Sequence, residues 1–143
     1  CLSKNFGYID WFEIDPEVVR VCRKHLSKIE NKAKESNSVK CIWGDAFENI
    51  KSVQDSKYDK IFVDLNDDQY CIDLAAKNMK NLKRILKPGG VITAQVGTED
   101  KKPKQVESWL LVLEKSFGNT TLDRVYIPSF NCAWNFASSV LKV

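Results

Sequence analysis

The sequence holds little that would serve metal, disulfide or membrane chemistry. It has one histidine, His25, and five cysteines, Cys1, Cys22, Cys41, Cys71 and Cys132, with no CxxC pair among them. Their odd number and wide spacing argue against a disulfide framework or a zinc site and for reduced thiols in a cytosol. The sequon at Asn119 then carries no meaning. No apolar run approaches the ~20 residues that span a bilayer, and the first residues lack the pattern of a signal peptide. A net charge of +3 with no dense Lys/Arg block gives no phosphate stripe, so neither nucleic acid nor membrane is an expected partner. Gly and Pro are scarce, 6 and 4 residues, and no low-complexity linker divides the chain.

What is present suffices for one domain, read here as residues 1–143, with 43% hydrophobic residues to build a core. Strands and helices alternate. "GYIDWFEI" reads as a strand of aromatic and β-branched residues. "DPEVVRVCRKHLSKIE" opens with Asp15 as N-cap and Pro16 at the first helical position, and Val18, Val19, Cys22, Leu26 and Ile29 share one face. "SVKCIW" is a second strand and "GDAFENI" a short helix. "DKIFVDL" is so apolar that it reads as a strand buried on both sides. Ile72, Ala75, Ala76, Met79, Leu82, Ile85 and Leu86 repeat at helical spacing, and "KPGG" should stop that helix. "GVITAQV", the helix marked by Val106, Trp109, Leu110, Leu113 and Phe117, and the strands "TTLDRVYI" and "CAWNFASSV" follow. The implied fold is α/β: a Rossmann-like, doubly wound, mostly parallel sheet with a C-terminal antiparallel hairpin.

In such a sheet, ligands bind beyond the carboxyl ends of the strands. Glu13 ends the first strand, Asp45 follows the second, and Asp64 ends the third. The stretch "VDLNDDQYCID" then sets four aspartates in eleven residues with no Lys or Arg, inside a basic chain. An acid at such a strand end accepts hydrogen bonds from ribose hydroxyls, and an exocyclic amine suits Asp45. Plainer roles stand beside these: Asp45 as the cap of its short helix, the acidic loop as a solvated surface, His25 as structural and Trp109 as core. No Ser/His/Asp or Cys/His constellation can be assembled.

"WFEIDPEVV", "WGDAFENI", "YDKIFVDLNDD", "LKPGGVITAQ" and "YIPSFNCAWNFASS" resemble the successive motifs of the spermidine synthase family, aminopropyltransferases on the class I S-adenosylmethionine-methyltransferase fold. The likeness runs from about Tyr8 to Ser139. "DLND" with "PSF" and a Trp four residues later is closer to the thermospermine-type branch. The resemblance implies that Glu13 binds the ribose hydroxyls, and that Asp45 with the backbone of Ala46 holds the adenine. It implies that Asp64 orients the attacking amine and takes its proton, that Asp67 binds an ammonium, and that Gln95 and Phe130 line the substrate channel. The co-substrate would be decarboxylated S-adenosylmethionine, with no prosthetic group and no metal. The acceptor would be a polyamine, putrescine or spermidine, and the enzyme a cytoplasmic homodimer.

The family's first strand and its Gly-rich motif have no counterpart in these residues, and Asn135 stands at a usual Gly. The chain begins with Cys rather than Met, so it is expected to be a fragment, with "CLSKN" as the tail of a helix and little activity alone. Two rival readings are a methyltransferase using S-adenosylmethionine itself and a non-catalytic paralogue that keeps the fold.

Overall fold

The computed structural model describes residues 7–25, 39–66, 68–98, 100 and 102–142. "CLSKN" and the helix-face residues Leu26 and Ile29 lie outside them. The chain divides into two compact units, Cys1–Ser52 and Val53–Val143.

In the first unit, strand β1 (Ile9–Glu13) and strand β2 (Val39–Trp43) pair in parallel, Ile9 opposite Val39 and Glu13 opposite Trp43. Between them in sequence lies helix α1 (Pro16–His25). Asp15 caps it by accepting a hydrogen bond from the Glu17 amide at 2.8 Å. Of its expected apolar face, Val19 is buried and Cys22 half-buried, but Val18 is exposed. His25, at the last position of α1, is exposed. Helix α2 (Ala46–Asn49) and a 3-10 turn (Ile50–Ser52) close the unit, with Phe47 and Ile50 buried.

The second unit holds a four-stranded sheet in the order β3-β4-β6-β5. Its strands are β3 (Tyr58–Val63), β4 (Leu86–Gly97), β5 (Thr120–Ile127) and β6 (Cys132–Val140). β3 and β4 are parallel, while β6 runs antiparallel to both β4 and β5. The C-terminal hairpin expected from sequence is therefore present, and both its strands have the expected bounds. Helices α3 (Gln69–Ile85) and α4 (Pro103–Phe117) pack on each other, and α4 also packs on β4, β5 and β6.

The 3.6-residue spacing of apolar residues decides what is buried. Ile72, Ala75, Met79, Leu82 and Ile85 of α3 and Val106, Trp109, Leu113 and Phe117 of α4 are all in the core. Burying each large side chain contributes roughly 1.5–3 kcal/mol. Trp109 is 2% exposed, so it is a core residue rather than a ligand contact. Ala76, placed on the apolar face of α3 by its spacing, is exposed.

Two expectations need correction. β3 is not buried on both sides: Phe62 is 49% exposed and only Val63 is fully buried. As an outer strand of its four-stranded sheet, β3 is covered less than β4. And Leu86, placed on the helical face by its spacing, is not in α3, while "KPGG", at which the helix stops, is itself part of β4. The helix ends at Ile85, and Leu86 already has strand geometry, so helix passes into β4 with no linker. The last helical carbonyls are met from the preceding loop, Ser56 N to Arg84 O at 2.8 Å and Lys57 N to Ile85 O at 2.9 Å. Lys87 precedes Pro88 and so disfavours helical backbone. Gly90 is needed where it stands, because a Cβ would come within 2.8 Å of both the Leu86 side chain and the Lys87 carbonyl.

Candidate functional site

Each unit, taken by itself, holds expected site residues at the carboxyl ends of its parallel strands. In the first, Glu13 ends β1 and is half-buried. Its backbone carbonyl accepts from the Gly44 amide at 3.0 Å, which ties the end of β1 to the turn after β2. Its Oε1 accepts from the Asp15 amide at 2.9 Å. Gly44 has φ +106, a conformation that favours glycine, and the chain there turns directly into α2.

Asp45 and Ala46 therefore stand beside Glu13 on one edge. Asp45 is the N-cap of α2: its Oδ1 accepts from the Phe47 amide at 2.7 Å and the Glu48 amide at 3.4 Å. The capping role is thus observed, and it uses one carboxylate oxygen. Oδ2 has no hydrogen-bond partner among the described residues. Nearby on β2, burial pushes the Cys41 thiol up from its ordinary value. The Arg23 charge works against that shift and the Glu13 carboxylate adds to it. A thiol held protonated is a poor nucleophile.

In the second unit the acidic stretch separates into roles. Asp68 is the N-cap of α3, accepting from the Cys71 amide at 2.8 Å. Asp73 accepts from Gln69 Nε2 at 2.9 Å within the same helix. Asp67 lies outside the described residues. Asp64, directly after β3, is exposed, and its carboxylate has no bonding partner among the described residues. Burial raises the Cys71 thiol, and a hydrogen bond to Asp68 raises it further.

Register places the rest. Val63 is opposite Ala94, so Asp64 and Gln95 are the next residues on adjacent parallel strands. Gln95 is half-buried and opposite Phe136, and a bulge follows where Gly97 meets Asn135. Bulges of this kind re-aim the chain at strand ends. β6 is antiparallel to β4, so its start, with Trp134, lies at the same end as Asp64 and Gln95. Phe130, in the 3-10 turn Pro128–Phe130, is 53% exposed and meets the Trp134 ring at 4.9 Å between centroids, tilted by 51°.

Sequence reasoning gave no role to three buried polar atoms without a hydrogen-bond partner among the described residues: Thr98 Oγ1, Trp134 Nε1 and Asn135 Oδ1. The alternation of "CAWNFASSV" would have put Asn135 in the buried phase with Ala137 and Ser139, as observed. No helix among the described residues is long and apolar enough to cross a membrane.

A family model described as the spermine/spermidine synthase domain matches residues 3–142. A polyamine aminopropyltransferase of Prochlorococcus marinus (strain MIT 9215) is 28% identical over 136 residues, covering 92% of this chain and 48% of the relative. One of Korarchaeum cryptofilum is 23% identical over 138 residues, covering 95% of this chain and 43% of the relative. Among solved structures, the spermidine synthase of Thermotoga maritima superposes with a TM-score of 0.79 at 16% identity, over 94% of this chain and 45% of that one. A spermidine synthase in complex with the transition state analogue AdoDATO gives a TM-score of 0.78 at 15% identity, over 97% and 46%. At these identities the structures show a shared fold. The chain spans about half the length of the curated relatives it matches.

Proposed function

The chain belongs to the spermine/spermidine synthase family, and on that premise we propose that the complete protein transfers an aminopropyl group from decarboxylated S-adenosylmethionine to a polyamine, putrescine or spermidine. Methylthioadenosine leaves. Residues 1–143 serve in this reading as one partial, Rossmann-like domain that binds the nucleoside and carries the catalytic acid. The complete enzyme is a cytoplasmic homodimer.

The observation that carries the reading is the division of labour in the acidic loop. Two of its acids are engaged in or at α3, while Asp64 keeps a carboxylate unengaged among the described residues at the carboxyl end of β3, level with Gln95 and one step past the Val63–Ala94 pair. A primary ammonium is a poor nucleophile at pH 7, because its lone pair is protonated. Asp64 holds the acceptor so that a neutral amine faces the carbon bonded to sulfur, and takes the proton released. The nitrogen–carbon bond forms as the carbon–sulfur bond breaks. The electron pair goes to sulfur, turning a sulfonium into a neutral thioether. Asp67 binds a second ammonium, and Gln95 and Phe130 line the channel for the methylene chain. Glu13 accepts from the ribose hydroxyls. The free Oδ2 of Asp45, with the backbone of Ala46, takes the adenine edge. In-line positioning can supply ~7–11 kcal/mol of the barrier, and a placed base typically ~10²–10⁴-fold.

The same carboxylates disfavour a donor that keeps its own carboxylate. At ~4 Å and an effective dielectric of ~20, one like-charge pair costs about 4 kcal/mol before desolvation. Calorimetry on the complete protein should show methylthioadenosine or the decarboxylated donor binding at least about tenfold more tightly than S-adenosylmethionine. Tighter binding of the carboxylated compound would favour a methyltransferase. No nucleoside binding at all would favour a non-catalytic paralogue.

A further inference from the structure

Phe130 poses a physical problem. It is more than half exposed, on the tip of a hairpin, and its ring contact among the described residues is with Trp134. A ring with so little packing around it is aimed only as well as the turn that carries it. That turn is short: Pro128–Phe130 is a single 3-10 turn, and Asn131 follows with φ 50 and ψ 35. Asn131 thus occupies the left-handed region, which asparagine tolerates better than most side chains. Its amide donates to the Pro128 carbonyl at 3.2 Å.

One further bond crosses the turn. The Tyr126 hydroxyl donates to Asn131 Oδ1 at 2.7 Å, from the last turn of pairing on β5 to the residue before β6. The Tyr126 ring is itself 59% exposed, so burial gives little reason for an aromatic side chain there. Its hydroxyl reaches the one side chain that sits at the left-handed corner, next to Phe130.

We propose that Tyr126 and Asn131 are positioning residues for the acceptor channel: their hydrogen bond fixes the corner of the β5–β6 turn and thereby the direction in which Phe130 faces the polyamine. This rests on the reading that Phe130 lines that channel. In this reading neither residue has a role at the nucleoside or the reacting atoms. The bond therefore acts on acceptor binding and leaves the chemical step alone.

The test uses the complete protein. Tyr126→Phe keeps the ring and removes the hydroxyl. The KM for the polyamine should rise about threefold to tenfold, the worth of one neutral hydrogen bond, with kcat and the KM for the donor within about twofold. Asn131→Asp keeps an acceptor oxygen and tolerates the left-handed corner, and should behave like the parent. Asn131→Ala loses both and should match or exceed the defect of Tyr126→Phe. A second readout does not depend on activity. With 5-fluorotryptophan incorporated, the Trp134 resonance, assigned by Trp134→Phe, should shift or broaden in Tyr126→Phe, while those of Trp11, Trp43 and Trp109 stay in place. An unchanged Trp134 resonance, or a fall in kcat with no rise in polyamine KM, would overturn the proposal. If the parent protein transfers no aminopropyl group, the functional reading fails, and the acceptor role of the turn with it. The fluorine signal still decides whether Tyr126 sets the ring.

Discussion

Replacing Asp64 with Asn in the complete protein should lower turnover by about two orders of magnitude or more, the loss expected when a placed general base is removed. Nucleoside binding should survive, because the acids of the first unit, Glu13 and Asp45, are untouched. The side chains are nearly the same size, so the change removes charge and proton affinity and little else. Asp73→Asn is the control. Asp73 belongs to the same acidic stretch, but its carboxylate is engaged by Gln69 one helical turn away. It should change turnover by less than about twofold. Single-turnover assays on both variants decide the matter. Equal losses at the two positions would mean that the summed negative charge of the loop matters and that Asp64 is not a placed base.

The second large effect is on stability. Trp109→Ala should destabilise the protein by about 3–5 kcal/mol, as large aromatic truncations in cores do. Trp109 is 2% exposed on the buried face of α4, in line with Val106, Leu113 and Phe117. Two residues further on, Leu111 is 60% exposed, and Leu111→Ala should stay within about 0.5 kcal/mol. Urea denaturation followed by far-ultraviolet circular dichroism would measure both. A Trp109→Ala variant as stable as the parent would mean that α4 is not held by this face.

Those two results depend on different degrees of legibility. The faces of α3 and α4 could be read from spacing because each helix is long enough to repeat its pattern several times. The strands of the hairpin could be read to the residue, since "TTLDRVYI" lies between the Gly118-Asn119 turn and Pro128, and "CAWNFASSV" follows the short turn that Pro128 opens. The start of β4 could not. Leu86 fits the helical period as well as it fits a strand, and only pairing with Tyr58, a tertiary fact, decides for the strand. The exposure of Phe62 escaped for the same reason, since "KIFV" carries no mark of its place within a sheet.

At the site, acids at strand ends were legible because strand ends were. What no single-sequence reading separates is the work of individual carboxylates. Asp45 and Asp68 cap helices through amides two or three residues downstream, whereas Asp64 makes no such bond among the described residues. Trp134 stands in the "YIPSFNCAWNFASS" motif, but its residue type alone assigns it no contact. Its contact with Phe130 follows from the hairpin turn, whose geometry depends on the left-handed Asn131.

The position of β4 has a consequence for how the second unit opens. β4 is 12 residues long and bonded on one side to β3 and on the other to β6, whereas β5 is bonded, among the described residues, to β6 alone and is exposed along its interior. Amide groups released from a ladder exchange with solvent when the cheapest opening that frees them occurs. For the outward-facing amides of β5, fraying is enough. For Ile92 and Ala94, both fully buried, release requires an interior ladder of the sheet to part beneath the α4 cover. In deuterium exchange, then, the outer edge of β5 exchanges first and the middle of β4 last, so its slowest amides report the global unfolding free energy of this unit.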